Sequence, residues 1–234
     1  QQFFAGAFAF GPVADVHACR VPIAAGKRDR CPRALRVSWV PALRSGNRPM
    51  QSASGSLDAR RVLLCVCGGI AAYKSADLVR RLREAGADVQ VAMTDAAQRF
   101  VGAQTFQALS HRPVRISLWD AQAEAAMGHL ELARWAQDVV LAPATANTLA
   151  KLAHGLADDL VSTLCLATTA PLTVAPAMNH VMWLHPATQA NMAMLRGRGV
   201  RVVGPDDGPL AEGESGPGRM AEPAAIVAAL GQPA

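Results

Sequence analysis

The chain alternates short apolar runs of strand length with segments of helical periodicity from about Arg60 onwards. Five runs have the continuous apolar character of buried strands: 62–67, 89–93, 139–142, 172–175 and 200–203. Helical patterns follow most of them, at 71–85, 95–100, 104–109, 147–153, 159–167 and 222–230. Strands that alternate with helices in this way pair in parallel and are covered by helices on both faces. The sequence therefore predicts a three-layer α/β sandwich.

Polar or glycine-rich turns follow several of the predicted strands. Gly68 and Gly69 follow the first, Thr94 follows the second, and the turn 145–148 (Thr-Ala-Asn-Thr) follows the third. Strand ends of this kind bind anions, because backbone N–H groups and helix starts meet there. Each turn alone is equally consistent with a tight connection or a helix cap. Their convergence in one sheet favours a mononucleotide site.

The charge distribution argues against nucleic acid as a partner. The formal net charge is +5, but residues 1–60 hold 9 Lys and Arg against 3 Asp and Glu. The remaining residues hold 14 against 15, so the predicted domain is nearly neutral. No apolar run approaches the roughly 20 residues that a membrane-spanning helix needs. We therefore expect a soluble, cytoplasmic protein without a membrane or nucleic-acid partner.

Residues 1–59 differ from the rest of the chain. Residues 1–49 lack sustained periodicity and contain no methionine, and the first methionine is Met50. We expect 1–59 to be a poorly ordered or non-native extension with the natural start at Met50, and 60–234 to form the functional domain. A cleaved transit peptide is the alternative for the extension.

The five cysteines do not form a regular framework. Their odd number and the apolar surroundings of three of them indicate reduced thiols in a cytosolic protein. Cys65 and Cys67 share one strand face, but neither a second pair nor a nearby histidine completes a metal-ligand set. The sequence therefore predicts no metal site.

Six motifs occur in order along the predicted domain. They are Gly68-Gly69-Ile70-Ala71-Ala72-Tyr73-Lys74, Met127-Gly128-His129-Leu130-Glu131-Leu132, Pro143-Ala144-Thr145-Ala146-Asn147-Thr148, Ala157-Asp158-Asp159-Leu160, Pro176-Ala177-Met178-Asn179 and Gly216-Pro217-Gly218-Arg219-Met220. Together they closely resemble the flavin-dependent cysteine decarboxylase family, and in particular its coenzyme A branch. The resemblance covers about residues 60–230.

The resemblance implies a flavodoxin-like or Rossmann-like fold, non-covalently bound FMN, and decarboxylation of 4′-phosphopantothenoyl-L-cysteine to 4′-phosphopantetheine. It also implies a homotrimer, or a trimer-based dodecamer, with the flavin near the subunit contact. In bifunctional members a CTP-dependent ligase domain follows the decarboxylase. The chain is then either a fragment of such an enzyme or a decarboxylase that stands alone.

The family motifs also assign residues. The resemblance implies that the flavin contacts Gly68, Gly69, Ile70, Thr94, Thr145, Ala146, Asn147, Thr148 and Ala177. His129 is our candidate for handling the substrate's thiol proton, because an imidazole titrates near neutrality. Asn179 is our candidate for binding the substrate carboxylate, with Met178 and Arg219 as further substrate contacts. Asn179 has a competing interpretation as a helix cap, and Arg219 has one as an ordinary surface ion pair.

The segment 210–220 resembles the family's mobile flap, in which a cysteine donates the last proton. Here Glu212 stands at that position, and no cysteine follows Cys165. Glu212 replaces the thiol as the acid if a closed flap shields it from water, or else the enzyme releases an ene-thiol, as the related peptidyl-cysteine decarboxylases do. A non-catalytic flavin-binding regulatory subunit is a further alternative, which the presence of His129 and Asn179 disfavours. A prenylated-flavin synthase fits the motifs less well.

Overall fold

The computed structural model describes residues 57–120 and 128–232. The predicted N-terminal extension lies outside these ranges except for residues 57–59, and so does the start predicted at Met50. Among the described helices, none is both long and apolar enough to cross a bilayer.

A five-stranded parallel sheet forms the centre of the fold. Its strands are β1 (Arg61–Val66), β2 (Asp88–Met93), β3 (Asp138–Ala144), β4 (Leu172–Pro176) and β5 (Arg201–Val202). They lie in the order β2-β1-β3-β4-β5, and every neighbouring pair is parallel. The predicted parallel sheet is therefore confirmed. The chain crosses from one half of the sheet to the other between β2 and β3, so the topological switch point lies beside β1.

Helices cover both faces of this sheet, as predicted. They are α1 (Ala72–Glu84), α2 (Ala103–Ser110), α3 (His129–Trp135), α4 (Ala146–His154), α5 (Leu160–Ala167), α6 (His180–Leu184), α7 (Pro186–Gly197) and α8 (Pro223–Leu230). Alternate residues of β1 enter different cores, because successive strand side chains point to opposite faces. Leu64 packs in the core that contains Phe106 and Ile226, whereas Leu63 packs in the core that contains Leu149 and Leu164.

Several segments differ from the predicted secondary structure, and the helices α3 and α7 were not predicted at all. The helix expected at 95–100 is only a short 3₁₀ helix, Ala97–Arg99. The segment interpreted as a flap, 210–220, contains β7 (Ser215–Arg219), which pairs with the preceding strand β6 (Asp206–Pro209) in an antiparallel hairpin. The sequence did not predict these two strands, because they are rich in glycine and proline, whereas strands are normally recognised by β-branched and aromatic residues.

A buried hydrogen bond joins α1 to β3 near the carboxyl edge of the sheet. The regular pairing of β3 with β4 is interrupted between Leu141 and Ala144, and Pro143 has no N–H to donate. The fully buried Ser75 of α1 donates its hydroxyl to the carbonyl of Ala142 at 2.8 Å. This bond satisfies a carbonyl at a break in the ladder and holds α1 against β3.

Replacing Ser75 with alanine tests this contact. The Ala142 carbonyl would lose its hydroxyl partner while remaining buried, so we expect Ser75→Ala to lower the free energy of unfolding by about 1–3 kcal/mol. Chemical denaturation of the purified protein measures the change. Ser215→Ala, at an exposed position of β7, is the matched control and should change stability by less than about 0.5 kcal/mol. Equal stability of the two variants would contradict the assigned role of Ser75.

Candidate functional site

The carboxyl ends of β1, β2, β3 and β4 border one large cavity of about 960 Å³. All the predicted flavin contacts line it: Gly68, Gly69, Ile70, Thr94, Thr145, Ala146, Asn147, Thr148 and Ala177. Met178, Asn179, Glu212 and Arg219 line it as well. Because parallel strands end at the same edge, residues far apart in sequence meet here. The cavity has the size of a small-molecule or cofactor site.

The two glycines after β1 differ in what surrounds them. A Cβ on Gly68 would overlap the Cβ of Ala96 and lie only 2.7 Å from the carbonyl carbon of that residue. Gly68 therefore allows the turns after β1 and β2 to pack directly together. A Cβ on Gly69 would meet no protein atom closer than the Thr145 Cγ2, at 3.9 Å. The space beside Gly69 is thus open for a ligand that approaches the backbone.

Thr145 caps a helix, as the competing interpretation held, and Thr94 bonds the turn that follows β2. Thr145 Oγ1 accepts a hydrogen bond from the Thr148 backbone N–H at 3.3 Å and lies 3.1 Å from the Thr148 hydroxyl. Thr94 Oγ1 accepts one from the Ala97 N–H at 3.2 Å. The first amides of a helix have no acceptor within the helix. The start of α4 at the cavity therefore suits an anion such as a phosphate.

Two lysines of the cavity wall were not assigned a role from the sequence. Lys151 lies 2.7 Å from an Asp158 oxygen and 2.8 Å from an Asp159 oxygen. These contacts raise the pKa of Lys151, so it stays charged at neutral pH. Burial acts to raise the pKa of Asp159, but hydrogen bonds from Lys151 and Ser162 outweigh it, and the pKa lies below its usual value. Asp158 and Asp159 belong to one of the six motifs, which was the only sequence signal for this group.

The second lysine joins the start of α1 to the end of the hairpin. Lys74 Nζ donates to the Met220 carbonyl at 3.1 Å and to Glu222 Oε1 at 2.8 Å. The Arg219 guanidinium donates to the same Glu222 oxygen at 2.9 Å. The hydrogen bonds from Lys74 and Arg219 hold the pKa of Glu222 below its usual value. Arg219 thus makes the surface ion pair considered for it and also lines the cavity.

Asn179 both caps a helix and lines the cavity. Its Oδ1 accepts a hydrogen bond from the Val181 N–H at 2.8 Å, which makes it the N-cap of α6. Its Nδ2 donates to Oε2 of Glu214 in the hairpin, at 3.3 Å. The sequence did not indicate this contact, since Glu214 was not among the predicted site residues. The exposed Glu212 lies near the hairpin tip.

His129 is not among the described residues that line this cavity. It is the half-buried first residue of α3, whose Leu132 and Ala133 pack in the core on the α4 and α5 side of the sheet. The structure therefore brings together every predicted site residue except the one assigned to proton handling.

The three cysteines of the described ranges are free thiols. Cys65 and Cys67 are buried, and burial raises the pKa of the Cys67 thiol to about 12. Such a thiol stays protonated and is a poor metal ligand. Within residues 57–120 and 128–232, no group of three or more His, Cys, Asp or Glu side chains is placed to hold a metal ion.

A protein-family model described as "Flavoprotein" matches residues 50–233. This chain belongs to the flavoprotein family. Together with the relatives described next, this match confirms the predicted family resemblance.

Several curated and solved proteins are similar to this flavoprotein. It is 56% identical over 172 residues to the coenzyme A biosynthesis bifunctional protein CoaBC of Escherichia coli K12, covering 74% of this chain and 42% of that protein. The corresponding protein of Bacillus subtilis is 47% identical over 171 residues, covering 73% and 42%. The chain thus spans less than half the length of these relatives.

Two solved structures share the fold. A PPC decarboxylase mutant complexed with pantothenoylaminoethenethiol matches with a TM-score of 0.64 and 34% identity, covering 74% of this chain and 96% of that one. The FMN-dependent cysteine decarboxylase SpaF matches with a TM-score of 0.62 and 29% identity, covering 76% and 99%. The predicted flavodoxin-like fold is confirmed by these neighbours.

The two glycines after β1 provide a matched pair of variants. Gly68→Ala forces the Ala96 turn to move, so we expect it to lower the free energy of unfolding by about 1–3 kcal/mol. Gly69→Ala meets no protein atom at short distance, so we expect stability to change by less than about 1 kcal/mol while the affinity for FMN falls. Thermal denaturation of the ligand-free protein and titration with FMN measure the two effects. Gly69→Ala with unchanged FMN affinity would contradict a close approach of the cofactor there.

Proposed function

We propose that this flavoprotein catalyses the FMN-dependent decarboxylation of 4′-phosphopantothenoyl-L-cysteine to 4′-phosphopantetheine. The observation that carries the proposal is the single cavity at the strand ends, which collects residues from five of the six motifs. The CoaBC relatives and the PPC decarboxylase neighbour support the substrate class. An unrelated α/β protein would not need all of these residues at one edge of its sheet.

The residues present fit FMN. The open backbone at Gly69 admits a flat ring system, and the start of α4 with the hydroxyls of Thr145 and Thr148 suits the phosphate. Thr94, Ile70 and Ala177 complete the wall on either side. When bound, FMN would supply the reversible oxidation of the substrate's thiol-bearing carbon. The oxidised carbon then accepts the electron pair that is left when CO₂ departs.

Asn179 is suited to the substrate carboxylate. Its carboxamide is neutral, so it binds and orients the carboxylate without the strong charge stabilisation that would oppose loss of CO₂. Its role as the N-cap of α6 fixes the direction of its amide group toward the hairpin. The capping and binding roles are therefore compatible. Met178 and Arg219 also line the cavity and are the further substrate contacts.

We propose that His129 acts in the cavity of a neighbouring copy. It lies at the start of α3 and outside the cavity of its own chain. A homo-oligomer with the flavin near the subunit contact, as the family resemblance implies, brings the imidazole of one chain to the site of another. There it takes the thiol proton of the substrate.

Glu212 is the proposed donor of the last proton. It lines the cavity from the hairpin and is exposed in this structure. Closure of the hairpin over the substrate would shield this carboxyl from water. The second candidate function rests on the same residue: without an effective acid at this position, the product is the oxidised ene-thiol.

The wider setting follows from the relatives. The proposed activity is the decarboxylase step of a bifunctional coenzyme A biosynthesis protein, with a CTP-dependent ligase domain as its partner in the same pathway. We place this activity in the cytoplasm, where the free thiols of Cys65, Cys67 and Cys165 stay reduced.

Two measurements on the purified protein test the proposed function. FMN-loaded protein should be yellow, and with phosphopantothenoylcysteine it should release CO₂ and form saturated phosphopantetheine.

Glu212→Gln should still release CO₂ but accumulate the ene-thiol, since the proton donor is lost. If the protein stays colourless after incubation with FMN, it does not bind the cofactor, and the proposed function is wrong. Accumulation of ene-thiol by the unaltered protein would instead favour the second candidate function.

Mixed oligomers test the position of His129. His129→Asn and Asn179→Ala chains should each be inactive alone. Co-expressed in equal amounts, they should regain about one quarter of the activity, because a random assembly pairs an intact Asn179 with a neighbour's intact His129 in that fraction of sites. Absence of any recovery in oligomers shown to contain both chains would place His129 in its own chain's site.

A further inference from the structure

The hairpin lies directly on the turn that carries Asn179. A Cβ on Gly218 would overlap the carbonyl oxygen of Met178, and a Cβ on Gly216 would lie 3.0 Å from the Cβ of His180. The Met178 N–H donates to the Gly218 carbonyl at 3.0 Å. Because two glycines face the turn, the hairpin backbone approaches it closely. Side chains near the start of β7 therefore reach the residues that follow β4.

One carboxylate oxygen of the hairpin contacts both Asn179 and His180. Oε2 of Glu214 lies 3.3 Å from Nδ2 of Asn179 and 3.3 Å from Nδ1 of His180. Glu214 itself lies on the exposed side, with 56% of its side chain accessible, whereas the His180 side chain is 25% accessible. A carboxylate that is more than half exposed thus contacts one nitrogen atom of each residue.

The amide orientation of Asn179 follows from its contacts. Its oxygen is fixed by the 2.8 Å hydrogen bond from the Val181 N–H, so the group that faces Glu214 is the NH₂. An amide nitrogen is a donor only, which selects a carboxylate or a carbonyl as its ligand. Asn179 is therefore prepared to bind an anion before any substrate arrives.

The second nitrogen is incompletely satisfied. Nδ1 of His180 is buried and has no hydrogen-bond partner within the described residues, although the Glu214 oxygen lies 3.3 Å away. The direction of this contact is not that of a hydrogen bond. A buried polar nitrogen without a partner is costly to the folded protein. His180 does not line the cavity, so a ligand carboxylate satisfies both nitrogens only by taking the position that Glu214 Oε2 holds next to Asn179.

We infer that Asn179 and His180 form a carboxylate subsite that Glu214 occupies until the substrate carboxylate replaces it. This inference rests on the proposed function, which brings a cysteine carboxylate to Asn179, and it adds His180 as a binding residue and Glu214 as an internal competitor. Binding of the substrate then displaces the Glu214 side chain, while the hydrogen bond from the Met178 N–H to the Gly218 carbonyl still holds the hairpin. Once CO₂ has left, the subsite is again available to Glu214.

Two ligands that differ only in the carboxylate test the inference. The first is 4′-phosphopantothenoyl-L-alanine, and the second is the corresponding ethylamide, which lacks the carboxylate. Neither carries a thiol, so neither is turned over by the FMN-loaded protein. Calorimetric titration of Glu214→Gln should show the Kd of the alanine ligand falling about three- to tenfold, as expected if Glu214 occupies the subsite for roughly 70–90% of the time. The Kd of the ethylamide should not change.

Two further variants serve as controls. Asp207→Asn makes the same change of charge in β6 of the hairpin, at an exposed residue that does not line the cavity. It should leave both Kd values unchanged. His180→Phe should weaken the alanine ligand at least threefold and leave the ethylamide unaffected, which also shows that the variant is folded.

The outcomes separate this inference from the proposed function. If Glu214→Gln leaves the alanine ligand unchanged, weakens it, or alters both ligands equally, Glu214 is not a competitor for the subsite. If His180→Phe affects both ligands equally, His180 is not part of a carboxylate subsite. If the unaltered FMN-loaded protein binds neither ligand, it is the proposed substrate class that fails.

Discussion

Parallel pairing of β1 with both β2 and β3 is the constraint on which the cavity depends. It brings the turns after residues 66, 93 and 144 to one edge of the sheet. β4 adds the turn that contains Asn179. The strands are almost fully buried, so a shift of register would move apolar side chains to the wrong core. The apolar pattern that fixes the sheet therefore also fixes the positions of the polar residues at its edge.

Around this fixed edge, the remaining cavity wall is held by polar contacts. Lys151 joins α4 to the start of α5 through Asp158 and Asp159, and Lys74 joins α1 to the segment after β7 through Glu222. The hairpin rests on the Met178–His180 turn through a backbone hydrogen bond and Glu214. The buried sheet forms one side of the cavity, and side-chain ion pairs and hydrogen bonds hold the other. This arrangement suits a site that must admit a substrate and then exclude water.

Much of this site could be predicted from the sequence, because strand-end turns and ordered motifs are local patterns. Gly68, Gly69, Thr94 and the turn 145–148 were assigned on that basis, and all of them line the cavity. The contacts of Glu214 with Asn179 and His180 could not be predicted, because they join residues of different elements through a hairpin without a strand-like composition. The position of His129 outside the cavity lining could not be predicted either, because a sequence motif does not say where its residue lies relative to the strand ends.

The sequence by itself determined the parallel α/β fold, the family and most of the residues at the strand ends. Apolar periodicity and the order of the motifs can be recognised in the sequence without knowing any distance between atoms. Only the tertiary structure decided which polar groups satisfy one another: Ser75 with the Ala142 carbonyl, Lys151 with two aspartates, and Glu214 with Asn179. Hydrogen bonds and ion pairs act over about 3 Å, and the folded chain alone brings such groups within that range.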